Sequence, residues 1–180
     1  MDLTAGQNVA IAAAVNVRLQ QPGQAEVDLV ALLLDDRGQV TADADFVFYN
    51  APRHPSGSVT LTDEALSLDL RLLPADVERV IVAANSDGEG QLDGLTVLVE
   101  CDEELSFAPS SLANLLTAVL VEVYRRGGGW RARAVGQGWA AGLAGLAREY
   151  GINVNAEPDQ PATRGHRSRT WCSFSRSCSG

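Results

Sequence analysis

The chain has 180 residues, 46% of them hydrophobic, and a formal net charge of −9, enough for one domain around a hydrophobic interior and marginal for two. No apolar run approaches the ~20 residues of a membrane-spanning helix, and the acidic balance argues against general nucleic-acid binding, which rests on neutralising phosphates. An acidic surface suits cations or basic partners better. The opening Met1-Asp2-Leu3-Thr4 lacks the basic and apolar regions of a secretion signal, so a soluble, cytoplasmic protein is expected. All 14 basic residues are arginine, a usage consistent with GC-rich coding and carrying no functional weight. Charge is unevenly placed. Residues 158–180 hold four arginines against one aspartate, a balance of +3, which leaves −12 for the rest of the −9 total.

Taken in order, residues 6–17 alternate loosely (Val9, Ile11, Ala13, Val15, Val17) and predict a half-buried strand. "AEVDLVALLLDD" (25–36) is apolar on both parities after Asp28, which predicts a central strand covered on both faces and closed by a turn at Asp36-Arg37-Gly38. "DFVFYN" (45–50) is a third strand, stopped by Pro52 and Pro55. "ALSLDLRLL" (65–73), "VERVIVAAN" (77–85) and "LTVLVEC" (95–101) complete six strands at the spacing of an all-β sandwich. Leu112, Leu115, Leu116, Val119, Leu120 and Val123 then fall at helical spacing after Ser110-Ser111, predicting a helix that Arg125-Arg126 and the triple glycine 127–129 would end. "WRARAV" (130–135) reads as a strand and "WAAGLAGLAREY" (139–150) as a short helix. The expectation is a mainly β fold: a sandwich of two sheets with two peripheral C-terminal helices over residues 1–156. A basic, Ser- and Cys-bearing tail over 157–180 has no periodicity and is expected to be disordered.

Candidate chemistry is sparse. His54 sits between prolines without a nucleophile elbow, and "GQGWAAG" (136–142) misses the phosphate-loop spacing, so its glycines are read as turn glycines. No enzymatic site is expected. Glu26 and Asp28 share a face at the entrance of one strand, Asp43 and Asp45 repeat that arrangement at the next, and Asp63-Glu64 precedes a third. Were these ends to converge, the carboxyls would suit calcium, which takes six to eight oxygens; isolated, they are ordinary solvated turn residues. The acid-rich stretch 87–93 fails as an EF-hand loop, with Leu92 where glycine and Leu98 where glutamate belong, and reads as a mobile hairpin loop. Arg125, Arg126, Arg131 and Arg133 could meet an acidic partner, although a helix end and a solvent-facing strand account for them without one.

The ordered motifs "LTAGQNVAI", "VDLVALLLDDRGQV", "DADFVFYNAP", "TDEALSLDLRLLPADVERVIV" and "EVYRRGGGWRARAVGQGWAAGLAGLAREYGINV" resemble the TerD family of bacterial tellurite-resistance and stress proteins over about residues 2–155. The resemblance implies a β-sandwich with peripheral helices, stress-linked gene clusters with protein partners, no established catalysis, and calcium held by acidic loops at one end. It carries the family's D-L-D onto Glu26, Val27 and Asp28, its acidic approach to F-V-F-Y-N onto Asp43 and Asp45, and the final D-E of its acid-rich loop onto Asp63-Glu64. Two departures weaken the calcium expectation: "APRHPSGSVTLT" (51–62) is shorter than the family's loop and holds no acid, and the first aspartate of D-L-D is glutamate. Calcium binding is therefore expected to be weak or absent, because affinity follows ligand count.

The tail lies outside that pattern. One reading is a docking or dispensable segment. Another is a substrate peptide of a tail-modifying enzyme, since Ser168, Thr170, Ser173, Ser175 and Ser177 precede or lie between Cys172 and Cys178. Dehydrated hydroxyl residues are electrophiles that a cysteine thiolate attacks, as in lanthionine formation. A Cys172–Cys178 disulfide, or a metal on His166 and the two thiols, is a third reading, although these donors are too few for a closed zinc site.

Overall fold

Continuous apolar runs, not strict alternation, mark the central strands, because one of the two sheets is covered on both faces. The structure, a computed structural model, describes residues 1–20, 26–63, 65–87, 92–110 and 112–152. Its elements are β1 (Asp2–Leu3), β2 (Asn8–Ile11), β3 (Ala14–Gln20), β4 (Val27–Leu34), a 3-10 turn (Asp43–Asp45), β5 (Phe46–Val47), β6 (Val59–Leu61), β7 (Leu66–Asp69), β8 (Arg79–Ser86), β9 (Thr96–Glu100), β10 (Glu104–Phe107), β11 (Thr117–Arg126), β12 (Gly129–Trp139) and α1 (Gly142–Glu149). They form two six-stranded sheets, ordered β1-β10-β9-β3-β7-β6 and β2-β12-β11-β8-β4-β5. The fold class is the mainly β, two-sheet architecture expected.

β4 shows why its sequence does not alternate. Leu29, Ala31 and Leu33 enter the core between the sheets, while Val30, Leu32 and Leu34 enter a second cluster with Leu143, Leu146 and Ala147 of α1. β8 divides likewise, with Val80, Val82 and Ala84 inward and Ile81 and Ala83 under the helix. α1 ends with Ile152 N–H on the Ala147 carbonyl and Gly151 N–H on the Arg148 carbonyl, the paired closure that caps many helices. Ile152 then packs into the same cluster.

The helix expected from Leu112 onward is instead β11, so α1 is the only α-helix among the described residues. A register shift between Val119 and Val121 explains the misleading spacing. The bulge puts Leu120 and Val121 both into the inter-sheet core while Val119 faces α1, and an extra residue in a strand breaks the period of two. The β-branched content of Val119, Val121 and Val123 fits this outcome. The triple glycine is accordingly no helix stop: Gly127 and Gly128 have φ of 62° and 79°, as a two-residue hairpin turn between twisted strands requires.

Other boundaries also differ. The single strand expected over residues 6–17 is two strands in different sheets, β2 and β3, and the short edge strands β1, β6 and the inner β10 were not foreseen. β8 and β9 belong to different sheets, so the segment joining them is a crossover and not a hairpin; Leu92 within it is fully buried, and residues 88–91 lie outside the described set. Gly136 and Gly138, expected in turns, lie inside β12. A Cβ on Gly138 would meet Leu115 Cδ1 at 2.5 Å and the Thr117 carbonyl oxygen at 2.7 Å. Gly138→Ala is expected to cost about 1–3 kcal/mol through this overpacking; an unchanged thermal midpoint would contradict the close approach.

Candidate functional site

β4 and β5 are antiparallel neighbours, with Leu32 opposite Phe46 and Ala31 opposite Val47. The entrance of one is therefore beside the exit of the other. Asp45 precedes Phe46 and so lies level with Leu33, five residues along β4 from Asp28, a separation of roughly 16 Å at strand rise. The expected convergence of Glu26 and Asp28 with Asp43 and Asp45 does not occur. Glu26 is exposed before β4, and Asp28 is half-buried opposite Asn85 of β8. Asp43 is exposed in the 3-10 turn and Asp63 is exposed between β6 and β7. Glu64 lies outside the described residues, as do His166 and the tail positions Ser168, Thr170, Cys172, Ser173, Ser175, Ser177 and Cys178.

Asp45 is the buried member, 7% exposed, and its carboxylate is occupied from within. Thr41 Oγ1 and the Ala42 N–H each donate to Oδ2 at 2.8 Å, and His54 Nε2 stands 3.2 Å from Oδ1. His54, equally buried at 7%, has the Ser56 N–H directed at its Nδ1 at 3.1 Å. Nδ1 therefore accepts, and Nε2–H donates its hydrogen bond to Asp45 Oδ1. Ser56 Oγ is 2.8 Å from Nδ1 and 2.8 Å from the buried Ser58 Oγ. This chain of groups pins the 52–60 loop to the turn before β5. Read from sequence, His54 was only a loop residue; its signal was a pair of serines two and four positions on, residues that favour such local turn hydrogen bonds.

The described donors do not make up a calcium shell. Calcium asks for six to eight oxygens, Asp45 already accepts three internal hydrogen bonds, and among the described residues no three His, Cys, Asp or Glu side chains are grouped to hold a metal.

A second buried acid, Glu122 of β11, is 4% exposed and lies on the face of its sheet that α1 covers. Arg79 binds its Oε1 at 3.1 Å and Arg133 closes on its Oε2. Burial, with the Glu122 charge adding to it, pushes the nearby Tyr150 hydroxyl above its ordinary 10.0. The arginines singled out from sequence thus separate. Arg133 serves Glu122, and Arg131 donates from Nε to Asn8 Oδ1 at 2.6 Å. Arg125 stands 4.8 Å over the Trp130 ring. Glu122 was missed because an acid in a run of apolar residues looked like the polar face of a helix.

With the fold and these contacts in place, the TerD domain model matches residues 1–150. The chain belongs to the TerD family. Tellurium resistance protein TerD of Alcaligenes sp. is 35% identical over 172 residues, covering 83% of this chain and 90% of that protein. General stress protein 16U of Bacillus subtilis (strain 168) is 30% identical over 152 residues, covering 72% and 79%. The crystal structure of a homologue of the telluride resistance protein TerD from Streptomyces coelicolor A3(2) shares the fold, with a TM-score of 0.62 at 20% identity over 75% of this chain and 95% of that one. The TerD match ends before the Ser- and Cys-bearing tail of residues 157–180.

Proposed function

We propose that this TerD domain is a cytoplasmic, non-enzymatic binding or scaffold module of the stress response, of the tellurium-resistance type named in its relatives, with calcium binding weak or lost. One observation supports it most: the buried ionisable side chains, Asp45, His54 and Glu122, are each engaged by partners inside the protein. A catalytic acid, base or nucleophile must be reached by substrate in a cleft, and each of these three side chains is less than a tenth exposed. The partners are proteins of a stress-response gene cluster. Deleting the gene in its native host should raise sensitivity to tellurite, and a copy with Cys172→Ala and Cys178→Ala should restore resistance fully. Unchanged sensitivity in the deletion strain would sink the stress reading.

A second reading is favoured by the tail's position beyond the family match: the domain is the folded leader of a precursor whose Ser and Cys residues are modified by a lanthionine-forming enzyme. Intact mass of the protein from its host would then show loss of one water per dehydrated residue. An unmodified mass removes this reading.

A further inference from the structure

We propose that the tip of the β11–β12 hairpin is a binding site for a single phosphate group, held by Arg125 and Arg126 and bounded by Trp130. The hairpin tip borders a cavity of about 300 Å³ lined by these residues, Glu78 and the three glycines 127–129. That volume is at the lower limit of small-ligand sites and leaves room beyond a phosphate for the body of a small ester. The role goes beyond the module reading and does not depend on it.

The assignment follows from which arginines are already used. Arg79 and Arg133 neutralise Glu122, Arg131 is held by Asn8, and Arg71 and Arg18 pair with Asp69 and Glu100. Arg37, Arg53, Arg125, Arg126 and Arg148, all exposed, have no ion pair with any described residue, and of these Arg125 and Arg126 are adjacent and border the cavity. Two guanidinium groups against the one acid, Glu78, leave this tip a local charge of +1 on a chain of net charge −9, which favours an anion there. Arg125 is also oriented: its guanidinium lies over Trp130, and its N–H is bonded to the Glu78 carbonyl at 3.0 Å. A guanidinium stacked on its face keeps its edge donors for an oxyanion, which it recognises as a fork. Gly127, Gly128 and Gly129 carry no side chains to obstruct approach.

Glu78 defines the ligand further. Glu78 borders the same cavity, with its backbone carbonyl held by the Arg125 N–H, and it makes no ion pair with either arginine. It leaves a balance of one positive charge, which suits one compact phosphate and disfavours polyphosphates and nucleic acids. Trp130 borders the cavity with its ring under the Arg125 guanidinium, placing an aromatic surface beside the group the phosphate carries.

The test is an amide and indole NMR titration of the full chain at low ionic strength, with inorganic phosphate in one arm and phenyl phosphate in the other. Saturable shifts at the Gly127–Gly129 amides and the Trp130 indole N–H are expected. Tighter binding of phenyl phosphate assigns the site to phosphate esters; equal binding assigns it to the free ion. Arg126→Ala should weaken binding about tenfold, the scale of one charge-assisted contact. Arg126→Lys should recover only part, and Glu78→Gln should tighten binding several-fold. Arg126 has no internal partner, so its variants should melt like the parent. Absence of saturable shifts in both arms, or equal binding by the parent and Arg126→Ala, overturns the proposal.

Discussion

Combining Arg79→Ala with Arg133→Ala should cost about 3–5 kcal/mol, far more than the two single changes together, because it leaves a carboxylate buried without a cation. Glu122 is 5% exposed at its side chain, whereas Arg79 and Arg133 are 43% and 45% exposed. Either arginine alone can neutralise the acid, and its own head group remains solvated, so each single variant should lose about 1 kcal/mol. Glu122→Gln in the double background should recover much of the loss, since a neutral amide costs less to bury than an ion. Urea unfolding of the parent and these four variants measures this. Additive effects summing to little would show that the ion triad is a surface feature and not a support of the sheet under α1.

Asp45→Ala should lose about 2–4 kcal/mol, because Thr41 Oγ1, the Ala42 N–H and the buried His54 Nε2 all give up their acceptor at once. Asp45→Asn should lose less, since an amide oxygen still accepts. The result bears on function as well as stability: a carboxylate that closes a turn and orients a histidine already accepts three internal hydrogen bonds and is held within the fold. A stability change of only a few tenths for Asp45→Ala would mean that the turn and the 52–60 loop are held by other contacts.

Much of this was legible in the sequence, for reasons that particular residues make clear. β4 and β8 were readable because doubly covered strands are continuous apolar runs, and Leu29–Leu34 and Val80–Ala84 contain nothing else. α1 was readable from the spacing of Leu143, Leu146 and Ala147, which all face one cluster. β11 was not, because a bulge at Leu120 gives a strand the spacing of a helix, and bulges are decided by partner strands. The acids were misplaced for a similar reason. Glu26-Asp28 and Asp43-Asp45 are alike as sequences, yet strand direction puts their entrances at opposite ends, and direction is a tertiary property. His54 and Glu122 gained their roles from partners 9 residues away and on neighbouring strands, contacts that no local pattern reports.

On the function proposed above, this TerD domain binds calcium weakly or not at all. The most direct measurement is the thermal midpoint of the full chain as calcium is raised from a chelated baseline through the micromolar range, because a ligand that binds the folded state must raise it. An unchanged midpoint is expected, with Asp45→Asn responding no differently from the parent. A rise at micromolar calcium that Asp45→Asn or Asp28→Asn abolishes would contradict the account.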